Sequence, residues 1–517
     1  MKYTLAPKRV DLNSGGKFVA VLNDDTAQDI DVMSMDRVRI STAKNSATAI
    51  VDLSEHFIKE NEIGCFSDLW NKLNPAKGEK VTVEPIEKPE SLNYIKRKMD
   101  GDTLIPDEIN RIINDVMLDN LSDVELTAFM TAVYIRKLTT SETLALTKSI
   151  VSSGTTLNLK NDIILDKHCI GGVPGNRTTM LLVPIIASAG LMIPKTSSRS
   201  ITSPAGTADA MEVLAPVTLK ENEIETIVRK ANGCIVWGGG VNLAAADDKL
   251  IRIRHPLKMD PTGVLLASIL AKKKAVGATH VLIDIPVGKG TKIYDMGHAK
   301  ELANSFMDLG TKLDMEIHCI ITPGYDPVGW AIGPALEARE TLRILEGNEV
   351  SPDLIEKSVT MAGTLLEISK RANPGEGTMM ARQILQSGKA CEKMKEIIEL
   401  QGGDPCVKSS DIHIGEKTLT IKSQDDGRIH YMSNSVLSAV ARAAGAPKDK
   451  GAGIYLYVEK GDKIKKGQKL LDIFAESDRK LDVAAEIINR EAPVEMEKVI
   501  LEEMSTENKK PFVLEFK

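Results

Sequence analysis

From about residue 160 onward the chain repeats one pattern: a short β-branched run, a Gly-rich turn, then a helix. Ile163-Ile164-Leu165 leads into a turn, and Leu181–Leu191 reads as the helix that follows it. Val281–Ile285 and Ile317–Thr322 are further strands of the same kind. Alternation of this sort covers a sheet with crossover helices, so it demands an α/β layer. The expectation is a large α/β domain with a mixed sheet, over 159–245 and 275–424.

Other patterns flank this core. Residues 1–86 read as a β-rich domain, with strands at Lys17–Asn23, Arg37–Ile40, Ala47–Leu53 and Lys80–Glu84 broken by Gly, Asn and Asp. Pro85 and Pro89 mark its end. Residues 87–158 read as a helical bundle. Pro106 stands where a first helical residue is favoured, and Ser122/Glu125 and Thr139/Glu142 have capping-box spacing. The helical segment 246–274 is expected to pack on that bundle. Residues 425–517 read as a small α+β domain, with Tyr455–Val458 and Gln468–Ile473 around a Gly-Asp turn. A multidomain α/β protein suits a chain of 517 residues.

Composition removes several function classes. Aromatic residues are 4% of the chain and the formal net charge is −6, with no long basic run. Neither a stacking platform nor a basic footprint for nucleic acid is present. No run approaches the roughly 18 apolar residues of a membrane span. The six cysteines are scattered without a C-x-x-C pair, which suits a reduced, cytoplasmic chain. His168-Cys169 and His318-Cys319 lack metal-site spacing, so no metal is expected.

Four segments could carry chemistry. Asp166–Asn176 is a Gly-rich turn between strand and helix, suited to wrapping backbone N–H groups around an anion, with Lys167 adding full charge. In Lys195–Thr207, seven of thirteen residues carry hydroxyls and two are basic, which suits phosphate and ribose oxygens. Arg254–Gly263 is followed by Ser268 and Lys272, which share a helix face at i, i+4. Val287–Lys292 is a basic Gly-rich turn without Walker spacing. Taken singly, each also fits a plain structural role: a tight turn, a solvated Ser/Thr loop, a surface helix.

Together these segments resemble the thymidine and pyrimidine-nucleoside phosphorylase family from about residue 90 onward. The most specific match is Ser197-Ser198-Arg199, then Gly206-Thr207-Ala208-Asp209, closing on Glu212. Lys167-His168 with Gly171-Gly172, Ala267–Lys272, Val287-Gly288 and Gln401–Pro405 add to it. Departures are the added N-terminal domain, Cys169 for the usual Ser, Ser200, Pro204, and Asp260 in Met-Asp-Pro-Thr-Gly. These look like the archaeal-type AMP phosphorylases. That family converts a nucleoside 5′-monophosphate and phosphate into free base and ribose 1,5-bisphosphate.

The resemblance implies substrate contacts from Gly172, Ser198, Arg199, Ser200, Ile201, Thr202, Ser203, Thr207, Ser268 and Lys292, with Asp260 as proton donor. Lys167 and Ser197, with Thr207, match phosphate positions of the nucleoside enzymes. Arg254 and Lys272, with Ser268, match their base positions. It also implies AMP and phosphate as small-molecule substrates, CMP and UMP as further ones, no cofactor beyond the phosphate co-substrate, and a homodimer or larger homo-oligomer. For Asp260 to hold a proton near neutrality, burial must raise its pKa. As an N-cap before Pro261 it also has a purely structural reading.

Three alternatives remain at this level. Retention of the base-binding trio keeps a pyrimidine-nucleoside phosphorylase open. A phosphoribosyltransferase related to the anthranilate enzyme would need an acidic metal-binding cluster, which is not evident. A carrier role is suggested by the hairpin 458–473, but an attachment lysine motif is absent.

Overall fold

The computed structural model describes residues 2–86, 89–200, 203–241, 243–348 and 351–498. Ile201 and Thr202, two of the expected substrate contacts, lie outside the described residues. The chain divides into two compact units: 1–153 with 245–265, and 154–244 with 266–517.

The first unit begins with a closed six-stranded barrel. Its strands run Tyr3–Val10, Glu62–Phe66, Val19–Asn23, Ser46–Ser54, Arg37–Ser41 and Val81–Pro85 in spatial order. Alternating residues such as Val38, Ile40, Val81 and Val83 point inward and are fully buried. Closure leaves no edge strand to pair with another chain. Four of the six strands are visible as β-branched runs. Tyr3–Val10 is not, because Pro7, Lys8 and Arg9 interrupt its pattern.

Helices Ser91–Asp100, Pro106–Met117, Asp123–Arg136, Thr140–Ser152 and Ala245–Arg254 complete this unit. Both expected capping boxes form. Ser122 N donates to Glu125 Oε2 at 2.6 Å and Thr139 N to Glu142 Oε2 at 2.8 Å. Glu142 also accepts from Lys98 Nζ at 2.6 Å and from Leu104 N at 2.9 Å, so one buried carboxylate anchors three segments. Burial alone would raise its pKa, but these donors hold it below the ordinary value. The segment expected as helix over 246–274 is two helices, Ala245–Arg254 and Thr262–Ala275. Pro256 and Pro261 lie between them, and each denies the backbone an N–H.

The second unit holds the α/β layer. Strands Glu316–Pro323, His280–Val287 and Leu165–Cys169 lie side by side, and Ile193–Ser197 pairs with Gly233–Trp237. Every described pairing among them is parallel, where a mixed sheet was expected. Helical segments separate the paired strands in sequence, and a connection of that length returns the chain in parallel. Helix Thr178–Ser188 is buried along nearly its whole length, as its apolar circumference (Met180 through Ala187) requires. Helices Pro334–Leu345, Pro352–Ile368, Gly377–Gln386 and Lys389–Leu400 share its core.

Arg177, at the start of that buried helix, is 1% exposed. Its guanidinium donates to the Glu340 carboxylate and to the carbonyls of Val328, at 3.2 Å, and Ala331. One side chain thus ties the end of the glycine turn to segment 328–340. The tail of the unit is α+β, with its own core around Leu437, Ile454 and Ile473. Its four-stranded sheet takes in Ala331–Ile332 and Lys417–Lys422, both ahead of residue 425.

Candidate active site

The strands of the α/β layer deliver charge to one place. Asp166 and Lys167 sit on Leu165–Cys169, Lys195 on Ile193–Ser197, and Asp284 on His280–Val287, all buried. Each aspartate is shared by two lysines. Asp166 lies 2.6 Å from Lys273 Nζ and 3.7 Å from Lys195 Nζ. Asp284 lies 3.3 Å from Lys357 Nζ and 3.8 Å from Lys167 Nζ, and accepts from Thr322 Oγ1 at 2.7 Å. Four lysine amines therefore face two carboxylates at low solvent exposure, and Lys195, lowered to about 7, carries only part of a charge at neutrality. Such an excess of buried positive charge is costly unless an anion shares the site.

The surrounding groups keep the site cationic without adding a nucleophile. Burial, and then Lys273, Lys195, Lys272 and Lys167, hold the His168 imidazole well below its usual pKa, so it is neutral. Burial and the Asp284 carboxylate push the Cys169 thiol up to about 11. A thiol at that value is a poor nucleophile. Burial, and then Lys273, lower Lys195 to about 7. An incoming dianion favours the protonated form, so phosphate affinity is expected to fall as pH rises through about 7, and Lys195→Met should flatten that limb. Stability carries the opposite sign. Above about pH 7 the unfolded chain keeps a proton that folded Lys195 has released, so this group makes stability rise with pH. A pH series of phosphate KM beside thermal melts checks both directions.

The Gly-rich turn and the hydroxyl-rich loop follow directly from the strands that carry Lys167 and Lys195. Gly172 has φ +96°, and a Cβ there would meet Thr291 Cα at 2.9 Å and Lys292 N at 3.1 Å. Only glycine lets the first turn approach the Val287–Lys292 turn so closely. Gly206 acts likewise on the hydroxyl-rich loop, where an added Cβ would meet Ser198 O at 2.5 Å and Arg199 C at 2.8 Å. The loop is held from within. Asp209 Oδ2 accepts from Ser200 N at 2.7 Å and Gly206 N at 2.9 Å. Arg199 grips Glu212 with two hydrogen bonds, 2.5 and 2.7 Å, and its guanidinium lies 4.8 Å from the centre of the Trp237 ring. The Asp and Glu of the sequence signature thus serve as loop staples, and Arg199, expected as a substrate contact, is engaged with them.

Glu212 is bound a third time, by Lys450 Nζ at 2.6 Å. Arg199 first, and Lys450 with it, lower its carboxyl to about 2 against the opposing effect of burial. Arg442 Nη2 reaches the same loop, donating to Ser203 O at 3.0 Å and Ser200 Oγ at 3.4 Å. Asn434 Nδ2 donates to Gly324 O at 2.9 Å, and Lys289 lies 4.8 Å from the Tyr431 ring centre. The tail therefore holds two of the loops.

Of the residues singled out in the sequence, Lys167, Gly172, Ser197, Ser198, Ser200, Ser203, Thr207 and Lys292 lie on these loops or the strands leading into them. Ser268 (5% exposed) and Lys272 stand on the part of helix Thr262–Ala275 that belongs to the same unit. Arg254 and Asp260 belong to the first unit, where Arg254 Nη1 donates to Asp260 Oδ1. The Asp260 side chain is 38% exposed, so the burial expected to make it an acid is not found; the carboxylate is ion-paired instead. Lys273, Lys357, Asp284 and Arg442 were not among the expected site residues, and Asp166 and Lys195 stood only within candidate segments. The one visible signal for Asp284 is a charge inside the apolar run Val281–Ile285. Among the described residues no group of three or more His, Cys, Asp and Glu is placed to hold a metal ion. No helix there is long and apolar enough to cross a membrane.

Three domain families match in chain order. They are the helical bundle domain of a glycosyl transferase family (92–154), the a/b domain of a glycosyl transferase family (161–391), and the pyrimidine nucleoside phosphorylase C-terminal domain (428–495). This domain set and the cationic site define a glycosyltransferase. Full-length relatives narrow the class. AMP phosphorylase 1 of Archaeoglobus fulgidus is 45% identical over 94% of this chain and 96% of its own length. The AMP phosphorylase of Thermococcus kodakarensis is 45% identical over 94% and 97%, and that of Methanococcoides burtonii 44% over 95% and 97%. The chain belongs to the AMP phosphorylase family. Among solved structures, anthranilate phosphoribosyltransferase from Thermus thermophilus shares the fold, with TM-score 0.51 and 17% identity over 59% of this chain and 98% of that one.

Proposed function

We propose that this protein catalyses reversible phosphorolysis of AMP, and of CMP and UMP, to free base and ribose 1,5-bisphosphate. The observation that carries the reading is the buried lysine array on strands that lead into two hydroxyl- and glycine-rich loops, a place for anionic substrates. Extent of similarity supports AMP over a nucleoside. The alignment to AMP phosphorylases spans 487 residues of 517, so it must take in most of the N-terminal barrel that nucleoside-cleaving relatives lack.

In this reading a phosphate oxygen attacks ribose C1′ as the C1′–N bond to the base breaks. The electron pair of that bond leaves with the base, which takes up a proton. The lysines hold phosphate, which is both the nucleophile and the counter-charge to the positive charge developing on the ribose. Asp260 supplies the proton, which requires it to exchange its pairing with Arg254 for a protonated state when substrate binds. Gly172, Ser198–Ser203, Thr207, Ser268 and Lys292 bind substrate. The reaction runs in the cytoplasm, in a homo-oligomer, with phosphate as co-substrate and no metal.

Purified protein incubated with AMP and phosphate is expected to yield adenine and ribose 1,5-bisphosphate, with little cleavage of adenosine or uridine, and to do so in the presence of a chelator. Uridine cleavage without AMP cleavage would overturn the substrate. Asp260→Asn is expected to fold normally and lose about 10²–10⁴-fold in turnover. Near-normal turnover would remove Asp260 from the chemistry.

A further inference from the structure

A cavity of about 470 Å³ lies outside the loops just described. It opens between strand Glu316–Pro323, helix Pro352–Ile368 and the tail segment 456–460. Its volume suits a small organic molecule rather than an ion. Trp330, Met432 and Val458 give it an apolar body. Its polar wall is rich in acceptors. Asp353 and Glu459 carry carboxylates that each receive one protein donor, from Gly329 N at 2.8 Å and Trp330 Nε1 at 2.5 Å, and retain acceptor capacity. Asp326 Oδ1 is buried with no hydrogen-bond partner. An orphaned buried acceptor of this kind asks for a donor. Glu356 is satisfied by Arg382.

One part of the wall leads to the phosphate array. Lys357 lines the cavity and shares Asp284 with Lys167, and Thr322, also lining it, donates to the same carboxylate. A molecule seated there and accepting from Lys357 would draw it off Asp284. Asp284 would then hold Lys167 more strongly and withdraw it from phosphate.

We infer that this cavity is an effector site for an uncharged, amino-bearing nucleoside, distinct from the substrate site. The apolar body takes the base, Asp326 accepts from its exocyclic amine, and the other carboxylates accept from ribose hydroxyls. Asp326, Asp353, Glu356 and Glu459 outnumber Lys357 and Lys460 on the wall, which disfavours a 5′-phosphate and separates this ligand from the proposed substrate. Burial raises the Asp326 carboxyl above its ordinary pKa against the opposing effects of Lys460, 4.0 Å from Oδ2, and a Met432 backbone hydrogen bond, while Oδ1 stays without a donor. The coupling to Lys167 rests on the phosphate reading of the array; binding itself does not.

The test is calorimetric titration of adenosine into the full chain holding saturating AMP without phosphate. One equivalent is expected to bind, and its 6-dimethylamino derivative, which lacks the donor, to bind about tenfold more weakly. Thr360→Trp, at an exposed position on the cavity wall, should abolish binding and leave turnover without adenosine unchanged. Asp326→Asn gives a second, smaller change to the same wall. In wild-type kinetics adenosine should raise the KM for phosphate about fivefold with little change in kcat. Adenosine that AMP displaces, or that binds Thr360→Trp as well as wild type, or that does not bind, overturns the site. Binding with an unaltered KM for phosphate overturns the effector role. Because binding is read as heat, it can be measured whether or not AMP turns over, so the two readings fail separately.

Discussion

Replacing Arg177 with methionine is expected to cost about 3–5 kcal/mol in the stability of the second unit. The guanidinium is 1% exposed, and its loss would leave the Glu340 carboxylate and the Val328 and Ala331 carbonyls facing an apolar side chain. A buried carboxylate without its partner is among the few single changes that destabilise so strongly. Ser351 Oγ and Trp330 N also donate to Glu340, so the network is not emptied, which sets the lower end of the range. Calorimetric melting would register the loss as a fall in the unfolding temperature of this unit. Arg177→Met combined with Glu340→Leu removes both charges and should recover part of the loss. A double variant as unstable as the single one would show that shape, not charge, sets the requirement.

Lys167→Met is expected to lower phosphate-dependent turnover by about 10²–10³-fold while the chain stays folded. Lys167 is 1% exposed, lies 3.8 Å from Asp284, and belongs to the strand that feeds the glycine turn. Lys357 still pairs with Asp284 at 3.3 Å, so this carboxylate keeps a partner. The effect should therefore fall on phosphate KM and kcat rather than on melting temperature. Lys167→Arg, with its larger fork, should not restore activity fully. Unchanged phosphate dependence would mean that the array is structural.

Much of this was legible in the residues because local rules decide it. Ser122 with Glu125 and Thr139 with Glu142 announce helix starts, and both form. Gly172 and Gly206 mark turns, and both prove to be points where backbones nearly touch. Beyond Lys167 the lysine array was not legible, because it is assembled from strands and helices distant in sequence. Lys273, within the run Lys272-Lys273-Lys274, has the look of a solvated helix face, yet it is 1% exposed and bound to Asp166. Lys357 sits in an amphipathic helix with nothing local to single it out. Asp209 and Glu212 were visible only as letters of a family signature; hydrogen bonding inside the loop accounts for them. Asp260 is the reverse case: its implied role as proton donor required burial, but its side chain pairs with Arg254 at a partly exposed position.

The grip of Lys450 and Arg442 on the hydroxyl-rich loop bears on how this protein can be cut or recombined. A chain ended at residue 425, or a chimera carrying a foreign tail, would keep every letter of the Ser-Ser-Arg signature. It would nevertheless lose the ammonium on Glu212 and the guanidinium on Ser203. The loop and the tail are therefore one inheritable part, and a working graft has to carry them together.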